Sequence, residues 1–250
     1  MGTAPALDHL WLPFTPNRDF KAEPRVFARA EGVHYFTPEG RKLLDGSSGL
    51  FCVPLGHGRR EIADAVHQQL LTLDYTPSFT RTHPKAFELA TRVAGFTPPG
   101  LDRVFFANSG SEAVDTAMKI ALAYHRVRGE GQRTMFVSRE RAYHGVNMGG
   151  VALSGLVKNR ESFGAGVPGV LHMRHTHLPE NRLARRMPEK GGELADDLAR
   201  LGALHGFANI AAVFIEPIAG STGCLPPPRG YLERLRELCD QHGILLVFDE

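Results

Sequence analysis

The sequence has little of several features that would assign a class at once. Its 250 residues hold three cysteines, Cys52, Cys224 and Cys239, and no CxxC pair. Thiols this few and this widely spaced exclude a disulfide framework and are typical of a reducing compartment. No apolar run, including Ile210 to Ile215 and Ile244 to Phe248, is nearly long enough to cross a bilayer. The N-terminal sequence also lacks the basic and apolar segments of a signal peptide, so we expect a soluble cytoplasmic protein without a membrane partner.

A charge excess and the usual ligand fingerprints are missing as well. The sequence has 29 Lys and Arg against 27 Asp and Glu, so no basic face favours a nucleic-acid partner. GxxxxGK[ST] does not occur, and the single GxGxxG match, Gly164 to Gly169, neither follows a predicted strand nor opens a predicted helix, which argues against a nucleotide-binding oxidoreductase. His172, His175 and His177 have no Cys or carboxylate at ligand spacing, so we predict no metal site.

The apolar and helical patterns predict an α/β fold. Strands that read as continuous apolar runs and alternate with helices are typical of a parallel sheet covered on both faces. The predicted strands are 103–107, 134–138, 210–215 and 244–249, and the predicted helices are 59–73, 85–96, 112–127 and 230–242. Residues 33–36 and 41–44 predict a β-hairpin, 75–84 an irregular loop, and 157–193 mostly surface loop.

Residues 108–111 form the clearest candidate for a binding turn. They follow a predicted buried strand and open an amphipathic helix, whose first-turn N–H groups lack backbone partners and lie at the positive end of the dipole. Such a turn suits a phosphate: Gly110 lets a ligand approach the backbone, and Ser109 and Ser111 supply hydroxyls. The alternative is that Ser109 only caps the helix, with Glu112 as its capping-box partner. The turn alone leaves both interpretations open.

Further candidates follow other predicted strands at their carboxyl ends, where open α/β sheets bind ligands. Tyr143 and His144 come just after one strand, while Glu216 and Asp249 end two others. Tyr143 can stack on a planar ring, and an aspartate in an apolar site can hold a protonated heterocyclic nitrogen. Singly, the aromatic pair is compatible with packing and each carboxylate with helix capping. Their shared edge of the sheet favours a ligand site.

In this order, these segments resemble the class III aminotransferases, fold type I enzymes that depend on pyridoxal 5′-phosphate (PLP). The resemblance rests on Ser109-Gly110-Ser111-Glu112, Tyr143-His144-Gly145, Glu216-Pro217 and Phe248-Asp249-Glu250. Further segments are similar to the ω-amino acid–pyruvate (β-alanine–pyruvate) branch, namely Trp11 to Phe14, Asp45 to Leu50, Gly56-His57 and the loop from Asp74 to Pro84. Together they extend over essentially the whole sequence.

The resemblance implies the architecture of a fold type I PLP-transferase. It would have a mostly parallel central sheet with helices on both faces, plus part of a smaller α+β domain. Residues 1–70 would contribute to the small domain and the active-site entrance. Residues 71–250 would form the first part of the large PLP-binding domain.

It also implies roles for the candidate residues. Ser109, Gly110 and Ser111 would bind the cofactor phosphate, and Tyr143 would stack on the pyridine ring with His144 beside it. The two residues with catalytic roles would be Asp249, which keeps the pyridinium nitrogen protonated, and Glu216, near the cofactor hydroxyl. Three aromatic residues would line the substrate pocket: Phe14, Phe51 and Phe79. The loop that carries Phe79 would reach a neighbouring subunit.

One residue that this chemistry needs is absent. A PLP transaminase requires a lysine that binds the cofactor covalently and carries a proton. The sequence has Lys21, Lys42, Lys85, Lys119, Lys158 and Lys190. None follows the strand of Asp249, where the family carries its catalytic lysine. We therefore interpret the chain as truncated at its C-terminus, with this lysine and the carboxylate-binding arginine outside it, and we expect the fragment alone to be inactive.

The implied function of the full-length protein is a transamination of class EC 2.6.1. The amino group of an ω-amino acid or amine, such as β-alanine, would pass to pyruvate and give alanine, in a homodimer or homotetramer. Two alternatives remain open. One is another class III enzyme, such as an acetylornithine or 4-aminobutyrate transaminase or an aminomutase. The other is a non-catalytic binding or dimer-interface fragment.

Overall fold

The computed structural model describes residues 7–250, which divide into two units. The first unit ends at Arg103, and the second spans Val104–Glu250. The predicted N-terminal segment begins at residue 1, so its first six residues lie outside the described part of the chain. The boundary expected between residues 70 and 71 belongs to the complete protein and stays a prediction.

The first unit contains a small antiparallel sheet and four helices. The sheet has the order β1 (Arg29–Glu31), β2 (His34–Phe36), β3 (Lys42–Leu44). The helices are α1 (Asn17–Ala22), α2 (Ser48–Phe51), α3 (Arg60–Thr72) and α4 (Pro84–Ala94). The predicted hairpin is confirmed as β2 and β3, and the two predicted helices as α3 and α4. The loop before α4 is irregular as expected, and Pro84 occupies the first turn of that helix, where its missing N–H costs nothing.

The second unit is built on a four-stranded parallel sheet. Its elements are α5 (Gly110–Val127), β4 (Met135–Arg139), α6 (Met148–Leu153), α7 (Val157–Phe163), β5 (Val170–Met173), α8 (Asp197–His205), β6 (Ile210–Ile215), α9 (Tyr231–His242) and β7 (Leu245–Phe248). The strand order is β5-β4-β6-β7, and every neighbouring pair is parallel. All four strands therefore end at one edge, which is what brings distant residues together.

The core of this unit lies on both faces of β6. Every residue of that strand is buried, as its uninterrupted apolar sequence predicts. Val213 and Ile215 pack with residues of α8 and α9, whereas Ala212 and Phe214 pack with residues of α5 and α6. Burying a side chain such as Ile215 contributes about 1.5–3 kcal/mol. The prediction of a parallel sheet with helices on both faces is confirmed.

One predicted strand is wrong, and one strand was not predicted. Residues 103–107 do not form a strand, because no strand within residues 7–250 pairs with them, and Phe105 and Phe106 remain exposed. An apolar run becomes a strand only when a neighbour accepts its backbone hydrogen bonds. The segment 157–193 is mostly loop, as expected, but it also contains α7, β5, the short 3-10 helix Pro179–Asn181 and the start of a second one, Gly192–Asp196. Its strand depends on pairing with β4, which the local sequence does not reveal.

Neither a membrane-crossing helix nor a metal-type cluster occurs in the described residues. No helix within 7–250 combines the length and the apolar character that a bilayer span needs. In the same range, no three His, Cys, Asp or Glu side chains gather where they could hold a metal ion.

Candidate active site

The carboxyl ends of β4, β6 and β7 and the N-terminus of α5 surround one cavity of about 330 Å³. This is the position at which the topology of an open parallel sheet leaves room for a ligand. The residues that line it are Gly110, Ser111, Tyr143, His144, Gly145, Glu216, Ile218, Gly220, Asp249 and Glu250. The cavity thus brings together all but one of the predicted cofactor residues, and the exception is Ser109.

The N-terminus of α5 combines the two alternatives that the sequence left open, a serine cap and a turn that is free to bind a ligand. The Ser109 hydroxyl accepts a hydrogen bond of 3.2 Å from the backbone N–H of Glu112, so this serine does cap the helix. The Glu112 carboxylate in turn accepts from the backbone N–H of Asn108 at 3.0 Å. The amides of Gly110 and Ser111 belong to the first turn and have no intrahelical acceptor. A Cβ on Gly110 would meet nothing within 4 Å, which leaves its backbone open to a ligand.

The loop that carries Tyr143 is packed tightly onto this helix end. The Ser111 hydroxyl accepts a 2.9 Å hydrogen bond from the backbone N–H of Val146. Gly145 has a φ of 105°, and a Cβ there would lie 2.6 Å from the Ser111 oxygen. Only glycine fits a site that is both left-handed and this close to a neighbour. The loop and the helix terminus are therefore held as one binding surface.

Asp249 is oriented by a buried histidine. Nδ1 of His144 lies 2.8 Å from one Asp249 carboxylate oxygen, and Nε2 lies 3.1 Å from the Ser138 hydroxyl. An ionised carboxylate can only accept, so Nδ1 of His144 donates to Asp249, and Nε2 lies within hydrogen-bond distance of the Ser138 hydroxyl. No hydrogen bond from residues 7–250 reaches the second oxygen of Asp249, whose side chain is about a quarter exposed, at 26%. That oxygen remains available to a cationic or N–H group in the cavity.

Glu216 holds the backbone around the cavity. One of its carboxylate oxygens accepts from the N–H of Tyr143 and the other from the N–H of Gly220, both at 3.0 Å. Its own carbonyl accepts from the Arg139 guanidinium at 3.2 Å. These contacts satisfy a buried carboxylate, and they fix the backbone position from which the Tyr143 ring projects.

A buried arginine and tyrosine lie behind this carboxylate. The Arg139 guanidinium is buried and sits 5.7 Å from the centre of the Tyr231 ring. Burial raises the pKa of the Tyr231 hydroxyl, and the nearby Arg139 charge only partly opposes that shift. The tyrosine is therefore neutral, and Arg139 provides the positive charge that faces the Glu216 backbone.

Sequence reasoning missed several residues of this arrangement. Ser138, Arg139 and Gly220 act through contacts with residues that are distant in sequence. Ser138 ends the predicted strand 134–138, which is the one available signal for it. Gly145 lies in the Tyr143-His144-Gly145 segment. Its role depends on its close approach to Ser111, which the spacing of residues in the sequence does not reveal.

The three aromatic residues assigned to a substrate pocket all belong to the first unit. Phe14, Phe51 and Phe79 are exposed there, with 75%, 75% and 84% of their surface accessible. Large exposed aromatic side chains are typical of surfaces that contact a ligand or another protein. Their place in a substrate pocket stays a prediction.

Comparison with known proteins gives consistent matches along the chain. The family profile described as Aminotransferase class-III matches residues 17–250. An omega-aminotransferase of Caulobacter vibrioides is 58% identical over 245 residues, which is 98% of this chain and 56% of that protein. A beta-alanine–pyruvate aminotransferase of Pseudomonas aeruginosa is 49% identical over 241 residues, 96% of this chain and 54% of that protein.

The fold is likewise similar to solved structures. An amine transaminase from an uncultivated Pseudomonas species, in a PLP-bound form, has a TM-score of 0.85 and 36% sequence identity. The match covers 97% of this chain and 55% of that one. The chain thus spans about half the length of the relatives that it matches.

Proposed function

Because this chain belongs to the class III aminotransferase family, we propose that its full-length protein transfers an amino group from an ω-amino acid or amine to pyruvate. The products would be alanine and an aldehyde, semialdehyde or ketone, and the cofactor would be PLP. The names of the relatives support this reaction, and β-alanine is the donor that one of them specifies. The family prediction made from the sequence is confirmed, as is the fold type I architecture.

The observation that carries the proposal is the half-satisfied carboxylate of Asp249. One of its oxygens is held by His144, while the other is open to the cavity that also contains Tyr143 and the α5 N-terminus. A phosphorylated pyridine needs an anion site, a surface for its ring and a carboxylate for its nitrogen. The residues present fit each of these three requirements.

In this proposal, each residue of the chain has a defined task. The free amides of Gly110 and Ser111, together with the positive helix dipole, bind the phosphate. The Tyr143 ring contacts the pyridine face, and the open oxygen of Asp249 holds the proton at the pyridine nitrogen. When bound, PLP supplies the electron sink for the negative charge that develops at the donor carbon.

Two further residues act by positioning. His144 keeps the Asp249 carboxylate aimed at the nitrogen site through its 2.8 Å hydrogen bond, and Ser138 fixes the tautomer of that ring. Glu216 was expected to act near the cofactor hydroxyl. Because both of its oxygens accept backbone N–H groups, we propose that its main effect is to hold Tyr143 in place.

The remaining assignments concern the complete protein. We propose that Phe14, Phe51 and Phe79 line the donor pocket, that the lysine and the carboxylate-binding arginine come from outside residues 1–250, and that the enzyme is a cytoplasmic homodimer or homotetramer. Within the described residues, none of the six lysines lines the cavity. That the fragment alone is inactive stays a prediction.

Intact mass after borohydride reduction, on protein from its native source, tests the covalent cofactor. We expect a mass above 27.4 kDa that includes a reduced phosphopyridoxyl adduct. A 27.4 kDa chain without an adduct would instead support the non-catalytic fragment. A panel of amino donors, with pyruvate or 2-oxoglutarate as acceptor, then separates the proposed reaction from those of other class III enzymes.

The role of Asp249 has its own test. In the full-length protein, Asp249→Asn and Asp249→Ala should lower kcat about 10³-fold, or about 4 kcal/mol of transition-state stabilisation, since neither keeps a proton on the ring nitrogen. Asp240→Asn, at an exposed position of α9, is the matched control and should leave kcat unchanged. Turnover close to wild type in either Asp249 variant would remove this residue from its role.

A further inference from the structure

The short element α2 of the first unit is a left-handed turn that exposes an aromatic side chain. Ser48, Gly49, Leu50 and Phe51 have φ values of 51°, 60°, 58° and 67°. Left-handed backbone is unfavourable for residues with a Cβ, and here three of four consecutive residues have one. Such strain persists only where the surroundings enforce it, and it concentrates at functional sites.

The carboxylate of Asp45 is what enforces this conformation. Its Oδ2 accepts from the Gly49 N–H at 2.8 Å, and its Oδ1 accepts from the Ser47 N–H at 3.1 Å and the Ser47 hydroxyl at 3.3 Å. The side chain is only 3% exposed. Burial by itself would raise the pKa of this carboxyl, but hydrogen bonds from His57, Ser47 and Gly49 outweigh it and hold the pKa below its ordinary value.

His57 and Tyr35 support the carboxylate from the sheet side. Nε2 of His57 lies 2.8 Å from Oδ2 of Asp45, and the His57 backbone pairs with Gly32 at both of its hydrogen-bonding groups. The Tyr35 ring packs against His57, with ring centres 4.6 Å apart, and its hydroxyl would lie 3.2 Å from a Cβ at Gly49. The turn is thereby anchored to the three-stranded sheet and has room only for glycine at its second position.

The side chains that this turn presents do not pack on the sheet. Leu50 and Phe51 are 74% and 75% exposed. A buried carboxylate that stabilises a strained turn to display an aromatic ring is suited to recognition and contributes little to the core. We propose that Asp45 is the positioning residue that fixes Phe51 for contact with the amino donor. This inference rests on the proposed function, in which Phe51 lines the donor pocket.

Kinetics of the full-length enzyme test this inference. The quantity to compare is kcat/KM for a bulky arylalkylamine divided by kcat/KM for β-alanine. In Asp45→Ala, we expect this ratio to change about 10-fold, because a displaced Phe51 ring alters the pocket. The change should come from KM. The kcat and the affinity for PLP should stay close to wild type. Asp45→Asn keeps one acceptor oxygen and should have an intermediate effect. Asp64→Asn removes an exposed carboxylate of the same unit and serves as the control.

A double-mutant cycle separates positioning from a general loss of structure. If Asp45 acts through Phe51, Asp45→Ala should cause no further change in donor preference in a Phe51→Ala background. Hydrogen exchange of residues 45–53 provides a readout that needs no activity. The Gly49 amide should exchange faster in Asp45→Ala than in Asp64→Asn, since its acceptor is lost.

Each outcome bears on the inference. A 10-fold change in preference that disappears without Phe51 supports it. An active enzyme with faster exchange at Gly49 but unchanged donor preference, or with additive effects of the two variants, overturns it and leaves the proposed function intact. A full-length wild type that transaminates no donor overturns the proposed function, and with it the donor contact.

Discussion

The two units hold their shape by different means. In the second unit, β6 is buried along its whole length, and residues on both of its faces pack into continuous apolar clusters. In the first unit, no residue from 7 to 103 is fully buried, and the apolar side of α3, including Ile62, Val66 and Leu70, is exposed. There, polar contacts such as those of Asp45 carry much of the local order.

This difference shows that a sequence can predict that an element exists without predicting how it packs. Periodicity predicts the helix α3 as well as it predicts α5, because both have apolar residues at helical spacing. What distinguishes them is whether partners cover the apolar side. Contiguous exposed apolar patches are typical of surfaces that contact protein, membrane or ligand. The regularity of an element therefore says little about how much it stabilises the fold.

The largest expected effect contrasts one apolar residue from each unit. Phe214→Ala empties a fully buried position between the rings of Phe136 and His144, and should cost about 3–5 kcal/mol of unfolding free energy. Leu70→Ala, on the exposed side of α3, should cost less than about 1 kcal/mol in the same chain. Urea unfolding measures both. Equal costs would break the contrast between the two units.

A smaller effect is expected at two left-handed glycines. Gly145→Ala combines a φ of 105° with a clash against Ser111, and should cost about 3 kcal/mol and weaken PLP binding. Gly40→Ala in the first unit has a φ of 85° but open space around it, so backbone strain alone should cost about 1 kcal/mol. Thermal unfolding and PLP titration compare the two. Normal PLP binding in Gly145→Ala would show that the loop tolerates displacement.

The acid dependence of stability compares the carboxylate of Asp197 in the second unit with that of Asp45 in the first. Hydrogen bonds from Arg174 hold the pKa of Asp197 below its ordinary 3.8, so the folded state binds fewer protons in acid than the unfolded state. Its contribution is therefore present above about pH 5 and is lost as the pH falls below 3.8. Asp197→Asn should cost about 1–2 kcal/mol at neutral pH, since Arg174 is largely exposed, and should flatten this acid dependence.

The acid dependence of unfolding in Asp45→Asn extends this comparison to the first unit. The pKa of Asp45 is also lowered, so its contribution follows the same sign and is lost in acid. Its donors lie in the turn and on His57, within the unit whose described residues contribute to neither buried apolar cluster, so its effect should appear in local exchange more than in global unfolding. An unchanged acid dependence of unfolding in Asp197→Asn would contradict the assignment of that pair.

Most of the fold followed from local patterns in the sequence. Strands β6 and β7 and helices α3, α4, α5 and α9 are apolar runs or amphipathic repeats that act over a few residues, and each lies within two residues of its prediction. The failures at 103–107 and β5 have one physical cause. A strand exists through its partner, and the partner of Val170 lies more than thirty residues away along β4.

The site was predictable in its residues but not in its contacts. Parallel strands bring their carboxyl ends to one edge, so the convergence of Tyr143, Glu216 and Asp249 followed from order and spacing. The hydrogen bond between His144 and Asp249 joins residues 105 positions apart, and no local signal indicates it. The strained turn before Phe51 was equally hidden, because only Gly49 among its residues hints at a left-handed backbone.

The smallest expected effect concerns thiol chemistry and leaves stability unchanged. Burial raises the pKa of the Cys239 thiol to about 12, whereas Cys52 and Cys224 are exposed. Since the thiolate is the reactive form, iodoacetamide at mildly alkaline pH should label the two exposed cysteines and spare Cys239 until the chain unfolds. Peptide mass mapping of native and urea-treated protein measures this. Labelling of Cys239 as fast as Cys52 in native protein would mean that α9 opens readily, and the second unit would then be no more firmly packed than the first.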